Sequence, residues 1–256
     1  MNANNNAILA IDVGNTNIHW SFITEGKIEE FKRNKHTELS LLPWSKVKER
    51  NCSVIIAGAL YHINEALHTI ANDYKAKLIE ITIDKQNIIK NTYPSLGIDR
   101  VCNLIGAFKS FDNLNSPVIV FDFGTATTIT SCDENGDFLG GIIKTGFETE
   151  LKAISSKTFS LPHVELAKEQ KITKLNPLLR NTEDAILHGV IIGQVALIEY
   201  YLKLFNQEHS KPKIVFTGGN SEVILRFLPF KPDLYDPHLT LKGIYHCFEK
   251  MTVGTR

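Results

Sequence analysis

A chain of 256 residues with 43% hydrophobic residues is long enough to bury a large core in one or two domains. Lysine plus arginine equals aspartate plus glutamate at 28 each, so no net basic field marks nucleic acid as a partner, and a small substrate is expected. Cys52, Cys102, Cys132 and Cys247 lack C-x-x-C spacing and sit in or beside apolar segments, which argues against a zinc site or a disulfide framework and for buried thiols in a reducing compartment. Met1–Asn6 is polar without an apolar signal core, and no run approaches the eighteen or so apolar residues that span a bilayer, so a cytoplasmic protein with no membrane partner is expected.

The stretch Ile8–Thr16, Ile-Leu-Ala-Ile-Asp-Val-Gly-Asn-Thr, is an apolar strand that delivers Asp12 into a glycine turn followed by small polar side chains. Such a turn lets backbone N–H groups approach an anion, while the aspartate can meet phosphate only through a cation or a water. Ile18–Ile23 alternates and leads through Glu25-Gly26 into another short strand. Glu38–Arg50 reads as a helix that starts near Pro43, Ser53–Ala57 as a short buried strand, Ile63–Tyr74 as a helix and Lys77–Ile83 as a strand. Strands alternating with helices after a hairpin predict an α/β domain with a mixed sheet.

Between the two halves lies Asn91-Thr-Tyr-Pro-Ser-Leu-Gly-Ile-Asp-Arg100, where Pro94 and Gly97 interrupt the periodicity before Val101–Phe111 resumes it at helical spacing. Asp99 therefore opens a helix, either as its cap or as a carboxylate facing a ligand. Val118–Thr128 then repeats the first device: an apolar strand feeds Asp122-Phe-Gly, small hydroxyl residues follow, and Thr128–Cys132 leads to a turn at Asn135-Gly136. The duplication predicts two like domains, residues 1–112 including the 91–100 loop and residues 113–256, with both acidic turns at one cleft. Asp137–Ile143 with Gly140-Gly141 reads as a strand, Gly146 as a further close-approach glycine and Phe147–Ser155 as a helix. Lys157–Leu179 is a polar excursion near the site or a dimer contact, and Asn181-Thr-Glu-Asp-Ala185 starts a long apolar helix through Leu204 in which Thr182 is the capping candidate. Lys213–Phe216 ends in the glycine turn Thr217–Asn220, where ligands of open α/β sheets gather, and Pro237–Phe248 closes the chain as a helix.

These pieces together resemble the type III pantothenate kinases of the acetate and sugar kinase, Hsc70 and actin superfamily. The matching residues, in the family's order, are Asp12–Thr16, Tyr93-Pro94 with Leu96–Arg100, Asp122–Ala126, Gly140-Gly141 with Gly146, Asn181-Thr182 with Ala185 and Gly189, Thr217–Gly219 and Leu239–Gly243. One departure is Thr145, where the family usually carries proline before the glycine. The resemblance implies two ribonuclease H-like domains in the actin-like ATPase arrangement and phosphorylation of pantothenate by ATP with Mg²⁺. It implies ATP phosphate binding by Asp12, Val13, Gly14, Asn15, Thr16 and Asn17, with Asp12 reaching Mg²⁺ through water and Thr125 assisting. It further implies pantothenate binding by Tyr93, Gly97, Ile98, Asp99, Arg100 and Thr182, with Asp99 as catalytic base. Asp122 would hold a monovalent cation, K⁺ or NH₄⁺, and the enzyme would be a homodimer.

Phosphoryl transfer needs positioning, charge neutralisation and a proton acceptor more than covalent help, and this chain has no Walker A sequence or kinase glycine-rich loop. Two other readings share the Asp-x-Gly turns. A sugar kinase of the superfamily would lack the Tyr93–Arg100 segment, and a nucleotide-sensing regulator has no helix-turn-helix or basic patch here and would not need acids at 12, 99 and 122. His62, His163 and His188 are bases by type, but none adjoins a turn motif.

Overall fold

All six residues of β1 (Ile8–Val13) are buried, as a central strand covered on both faces requires. The computed structural model to which β1 belongs describes residues 7–58, 60–165 and 172–253; the reading of Met1–Asn6 and part of the 157–179 excursion lie outside the described residues. β1 pairs antiparallel with β2 (Ile18–Thr24), which pairs antiparallel with β3 (Lys27–Asn34) through a two-residue turn whose Glu25 and Gly26 both have positive φ. On its other side β1 pairs parallel with β4 (Ser53–Gly58), and β4 with β5 (Leu78–Glu80), giving the order β3-β2-β1-β4-β5. The helix expected over Glu38–Arg50 is two pieces, a 3-10 helix at His36–Leu41 and α1 (Trp44–Arg50). Pro43 is the cause: the residue before a proline is driven out of the helical region, and Leu42 is extended at φ −62°, ψ 158°. β5 is shorter than the expected Lys77–Ile83 because a turn takes over at Thr82, whose carbonyl accepts from Lys85 N–H at 3.1 Å.

α2 (Tyr61–Asp73) packs its buried Ile63, Leu67 and Ala71 into a core with Leu9, Ile11, Phe22, Trp44 and Ile56. α3 (Ile98–Lys109) is buried from Arg100 to Ala107. Its N-cap is Gly97, so Asp99 is not the cap weighed from the sequence but the second helical residue.

The second sheet is built from β6 (Val118–Phe123), β7 (Ala126–Cys132), β8 (Phe138–Thr145), β9 (Lys213–Thr217) and β10 (Leu234–Tyr235) in the order β10-β9-β6-β7-β8. Strand for strand this is the order of the first sheet, so the duplicated turn marks a duplicated topology. α4 (Phe147–Lys157), α5 (Thr182–Glu208) and the short α6 (Ser221–Leu225) accompany it. Asn181 caps α5 by accepting Asp184 N–H at 3.2 Å, which takes the capping role from Thr182, the first helical residue. By length and composition alone α5 is long and apolar enough to cross a membrane, although His188, Gln194, Glu199 and Lys203 interrupt its apolar residues. Its buried Leu187, Ile191, Ile198 and Phe205 join Phe121, Phe147 and Phe216 in the second core. Thr145, at the position of the family proline, presents a carbonyl that accepts from the fully buried Gln194 at 3.1 Å.

The chain closes in α7 (Leu239–Val253). Two compact units result: Met1–Leu114 with Cys132–Leu139 and His238–Arg256, and Asn115–Ser131 with Gly140–Pro237. The boundary read from sequence, 112/113, falls two residues short of the first crossing and leaves out two returns. α7 goes with the first unit because it lies so close along α3 that a Cβ on Gly243 would sit 1.9 Å from the Cys102 carbonyl oxygen. The Cys132–Leu139 hairpin goes with it because Lys90 N–H donates to Gly136 O at 2.9 Å and Phe138 N–H to Lys90 O at 3.0 Å.

Candidate functional site

In the first unit Asp12 lies next to the end of β1, and Gly14–Asn17 turn the chain into β2. The turn is tight: a Cβ on Gly14 would lie 3.1 Å from Asn17 O. Val13 is buried, Asn15 and Thr16 are exposed, and Gly14 and Asn17 are half-buried. His36 Nε2 donates to Gly14 O at 2.9 Å and so ties the 3-10 helix to the turn, a brace in a stretch from which the sequence yielded no motif. Asp12 is 9% exposed; its Oδ2 accepts from His19 Nδ1 at 3.3 Å, and its buried Oδ1 has no hydrogen-bond partner. An ionised oxygen buried without a donor is costly unless a cation or an ordered water meets it, so this carboxylate fits a divalent ion held through water.

Asp99 is brought close enough to Asp12 to feel its charge. Burial first, and the Asp12 carboxylate second, push the Asp99 carboxyl above its ordinary range, while the backbone N–H groups of Arg100 and Asp99 pull the other way. The carboxylate folds back over the N-cap, where a Cβ on Gly97 would be 2.4 Å from Asp99 Oδ1. Ile98 is buried at the start of α3. Arg100 is only 5% exposed, and its Nη1 donates to the Tyr93 hydroxyl at 3.2 Å. Tyr93 packs edge-on against Phe138 with ring centroids 5.7 Å apart, and Asn91 Nδ2 donates to Asp137 Oδ1 at 2.8 Å. The 91–100 loop thus rests on the Cys132–Leu139 hairpin, a partnership that no local sequence signal announces.

Asp122, Thr125 and Thr182 belong to the second unit. Gly218, at φ +92°, comes so close that a Cβ there would be 2.5 Å from Asp122 Oδ1; no L side chain fits that approach or that dihedral. The Thr125 carbonyl accepts from Gly146 N–H at 3.1 Å and from the Thr149 hydroxyl at 2.7 Å, and Asn220 N–H donates to Phe123 O at 3.1 Å. The backbone of this turn is therefore held closely against the Asp122 carboxylate by Gly218. Among the described residues no cluster of three or more histidine, cysteine, aspartate or glutamate side chains forms a metal site of another kind. Next to this turn a cavity of about 800 Å³ is lined by Leu151, Val164, Gly219, Asn220, Val223 and Arg226. Thr182 is exposed at the start of α5. Of the histidines weighed as bases, His62 is exposed, His163 contacts Glu165 at 3.0 Å, and His188 Nδ1 accepts Asn176 N–H at 3.1 Å in a structural role.

Residues 8–204 match the family described as Type III pantothenate kinase. The chain belongs to that family. It is 33% identical over 238 residues to a type III pantothenate kinase of Gloeobacter violaceus, covering 92% of this chain and 96% of the relative. It is 31% identical to one of Agathobacter rectalis, covering 95% and 97%. In fold it is similar to the Lmo2764 protein of Listeria monocytogenes, with a TM-score of 0.57 at 11% identity and 96% and 99% coverage. The ethanolamine utilization protein EutJ of Carboxydothermus hydrogenoformans gives 0.51 at 15% identity and 93% and 89% coverage. At such identities the likeness speaks for the fold alone, the α/β actin-like ATPase fold of two ribonuclease H-like domains that the repeated sheet order also displays. The enzyme is a pantothenate kinase that uses ATP with a divalent metal in the first step of coenzyme A biosynthesis, which sets aside the sugar-kinase and regulator readings.

Proposed function

We propose that Asp99 is the general base of pantothenate phosphorylation and that Asp12 holds the divalent ion of the ATP complex through water. The observation that carries this reading is the pair of neighbouring carboxylates in the first unit, one pushed up by burial and charge, the other with an orphaned buried oxygen. Asp99 accepts the proton of the primary hydroxyl as that oxygen forms its bond to the γ-phosphorus, and the bond from phosphorus to the bridging oxygen breaks to release ADP. The divalent ion, when bound, neutralises phosphate charge. Val13–Asn17 supply the backbone turn that cradles phosphate oxygens, and Thr125 is assigned to phosphate binding. Arg100, held by Tyr93, offers its guanidinium to the pantothenate carboxylate beside Gly97 and Ile98, and Thr182 is assigned to pantothenate binding. The cavity beside Gly219 has the size of a nucleoside site.

Asp122 is assigned to a K⁺ or NH₄⁺ ion, supported by the close approach of Gly218 to its carboxylate. Pantothenate-dependent ADP release is therefore expected to be fast in K⁺ or NH₄⁺ and slow in Na⁺ alone. Asp122→Ala is expected to lose activity by at least about tenfold while keeping its circular dichroism. Equal rates in K⁺ and Na⁺ buffers refute this assignment.

The reading includes a homodimer formed through α5, on whose exposed side Gly189, Gly193, Tyr200 and Leu204 lie. Light scattering is expected to give twice the 28.8 kDa chain mass at micromolar concentration, and a monomer refutes it. A cytoplasmic location belongs to the same reading and agrees with four free, buried cysteines.

A further inference from the structure

Asp12 is anchored from one side only. In the β1–β2 register it lies directly opposite His19, so the two side chains share one face of the hairpin. An ionised carboxylate only accepts, so Nδ1–H of His19 is the donor across the 3.3 Å contact to Oδ2. The imidazole is itself held. It stacks on Phe31 at 5.9 Å and 20° between ring planes, and Phe31 packs at 4.4 Å on His238 at the edge of α7. The terminal torsion of an aspartate is broad and two-fold, so an unanchored carboxylate swings between its oxygens. With Oδ2 fixed by His19, Oδ1 keeps its direction, and it is Oδ1 that is buried without a partner.

We infer that His19 is a positioning residue for the divalent ion: it locks the rotation of the Asp12 carboxylate so that Oδ1 stays aimed at the ion's water. Ligands of a metal are routinely oriented by such partners, whose removal costs about 10–100-fold in metal affinity. The inference rests on the assignment of Asp12 to the divalent ion.

The test is calorimetric titration of the full-chain enzyme with ADP, with and without Mg²⁺, for the wild type, His19→Val, His19→Asn and Asp12→Asn. Valine keeps strand propensity and removes the donor; asparagine carries Nδ2 near the position of the ring Nδ1. His19→Val is expected to weaken Mg²⁺-dependent ADP binding about 10–100-fold and to leave metal-free ADP binding unchanged, whereas His19→Asn stays within about threefold of the wild type. Asp12→Asn is expected to lose at least as much as His19→Val. If Asp12→Asn loses Mg²⁺-dependent binding while His19→Val keeps it, the role of His19 is overturned and that of Asp12 stands. If His19→Val and His19→Asn weaken binding equally and melt early together, His19 only packs against Phe31 and the inference is overturned. If Asp12→Asn binds Mg²⁺ and ADP as the wild type does, the assignment of Asp12 falls and the inference with it.

Discussion

Replacing Asp99 with asparagine is expected to lower kcat by about 10²–10⁴, roughly 3–5 kcal/mol of barrier, with no loss of melting temperature at neutral pH. The rate loss follows from removing the proton acceptor while keeping size and shape. The stability expectation follows from the direction of the shift. Burial and the Asp12 charge raise the folded pKa of Asp99 above its value in the unfolded chain. The folded state therefore holds the proton more tightly, and this group's contribution to stability falls as pH rises through the window between the ordinary carboxylate range and the raised value. Above that window the wild type carries an unfavourable buried charge that asparagine lacks. The same direction sets the kinetics of the wild type: kcat/KM loses its base as pH falls through the raised value, so the acid limb lies higher than an ordinary carboxylate would put it. A kcat within about fivefold of wild type, with chemistry shown to be rate-limiting, would mean that the base lies elsewhere.

Gly243→Ala is expected to damage both folding and rate, although it lies on a helix far along the chain from Asp99. The added methyl would meet the Cys102 carbonyl oxygen at 1.9 Å and its carbon at 2.5 Å, both backbone atoms that cannot turn aside. The partner helix repeats the device, since a Cβ on Gly106 would lie 2.5 Å from Leu239 O. Forcing a methyl into packed backbone costs about 1–3 kcal/mol or more, against a helix-propensity gain of about 1 kcal/mol for alanine over glycine. At the upper end of that range, as a clash with immovable backbone requires, the net loss is about 2 kcal/mol, roughly 4–8 °C in Tm for a chain of this size. Cys102 lies one turn after Asp99 on α3, so parting the helices tilts the base, and a misplacement near 1 Å is worth about 10²-fold in rate. Unchanged Tm and kcat in Gly243→Ala would refute this close packing.

What the sequence discloses, and what it does not, follows from how far each signal reaches along the chain. The acid-glycine turns at Asp12 and Asp122 are local patterns, and their repetition announces two sheets of like order before any strand is paired. Gly97 with Asp99 is equally local, although the cap and the second helical residue are hard to tell apart when glycine can cap as well. The brace on Asp12 is one step less direct: counting back across the Gly14–Asn17 loop pairs residue 12 with residue 19, but only once the hairpin is accepted. His36 on Gly14, and the 91–100 loop on the Cys132–Leu139 hairpin, join segments that share no periodicity or motif. Their only cause is tertiary packing. The same is true of α7, whose amphipathic pattern says that it packs but not on which unit.

The return of α7 to the first unit has a consequence for biogenesis. On the ribosome the strands of the first sheet and α3 emerge early, yet the surface of α3 that receives Gly243 stays uncovered until the last helix is made. At about 5–20 residues per second, that interval lasts on the order of ten seconds. The intervening second unit carries both partners of its own β6–β9 pairing and has no such wait. The later-encoded unit is therefore the one free to close first, while the surface of α3 that Gly243 covers, one turn from Asp99, stays open.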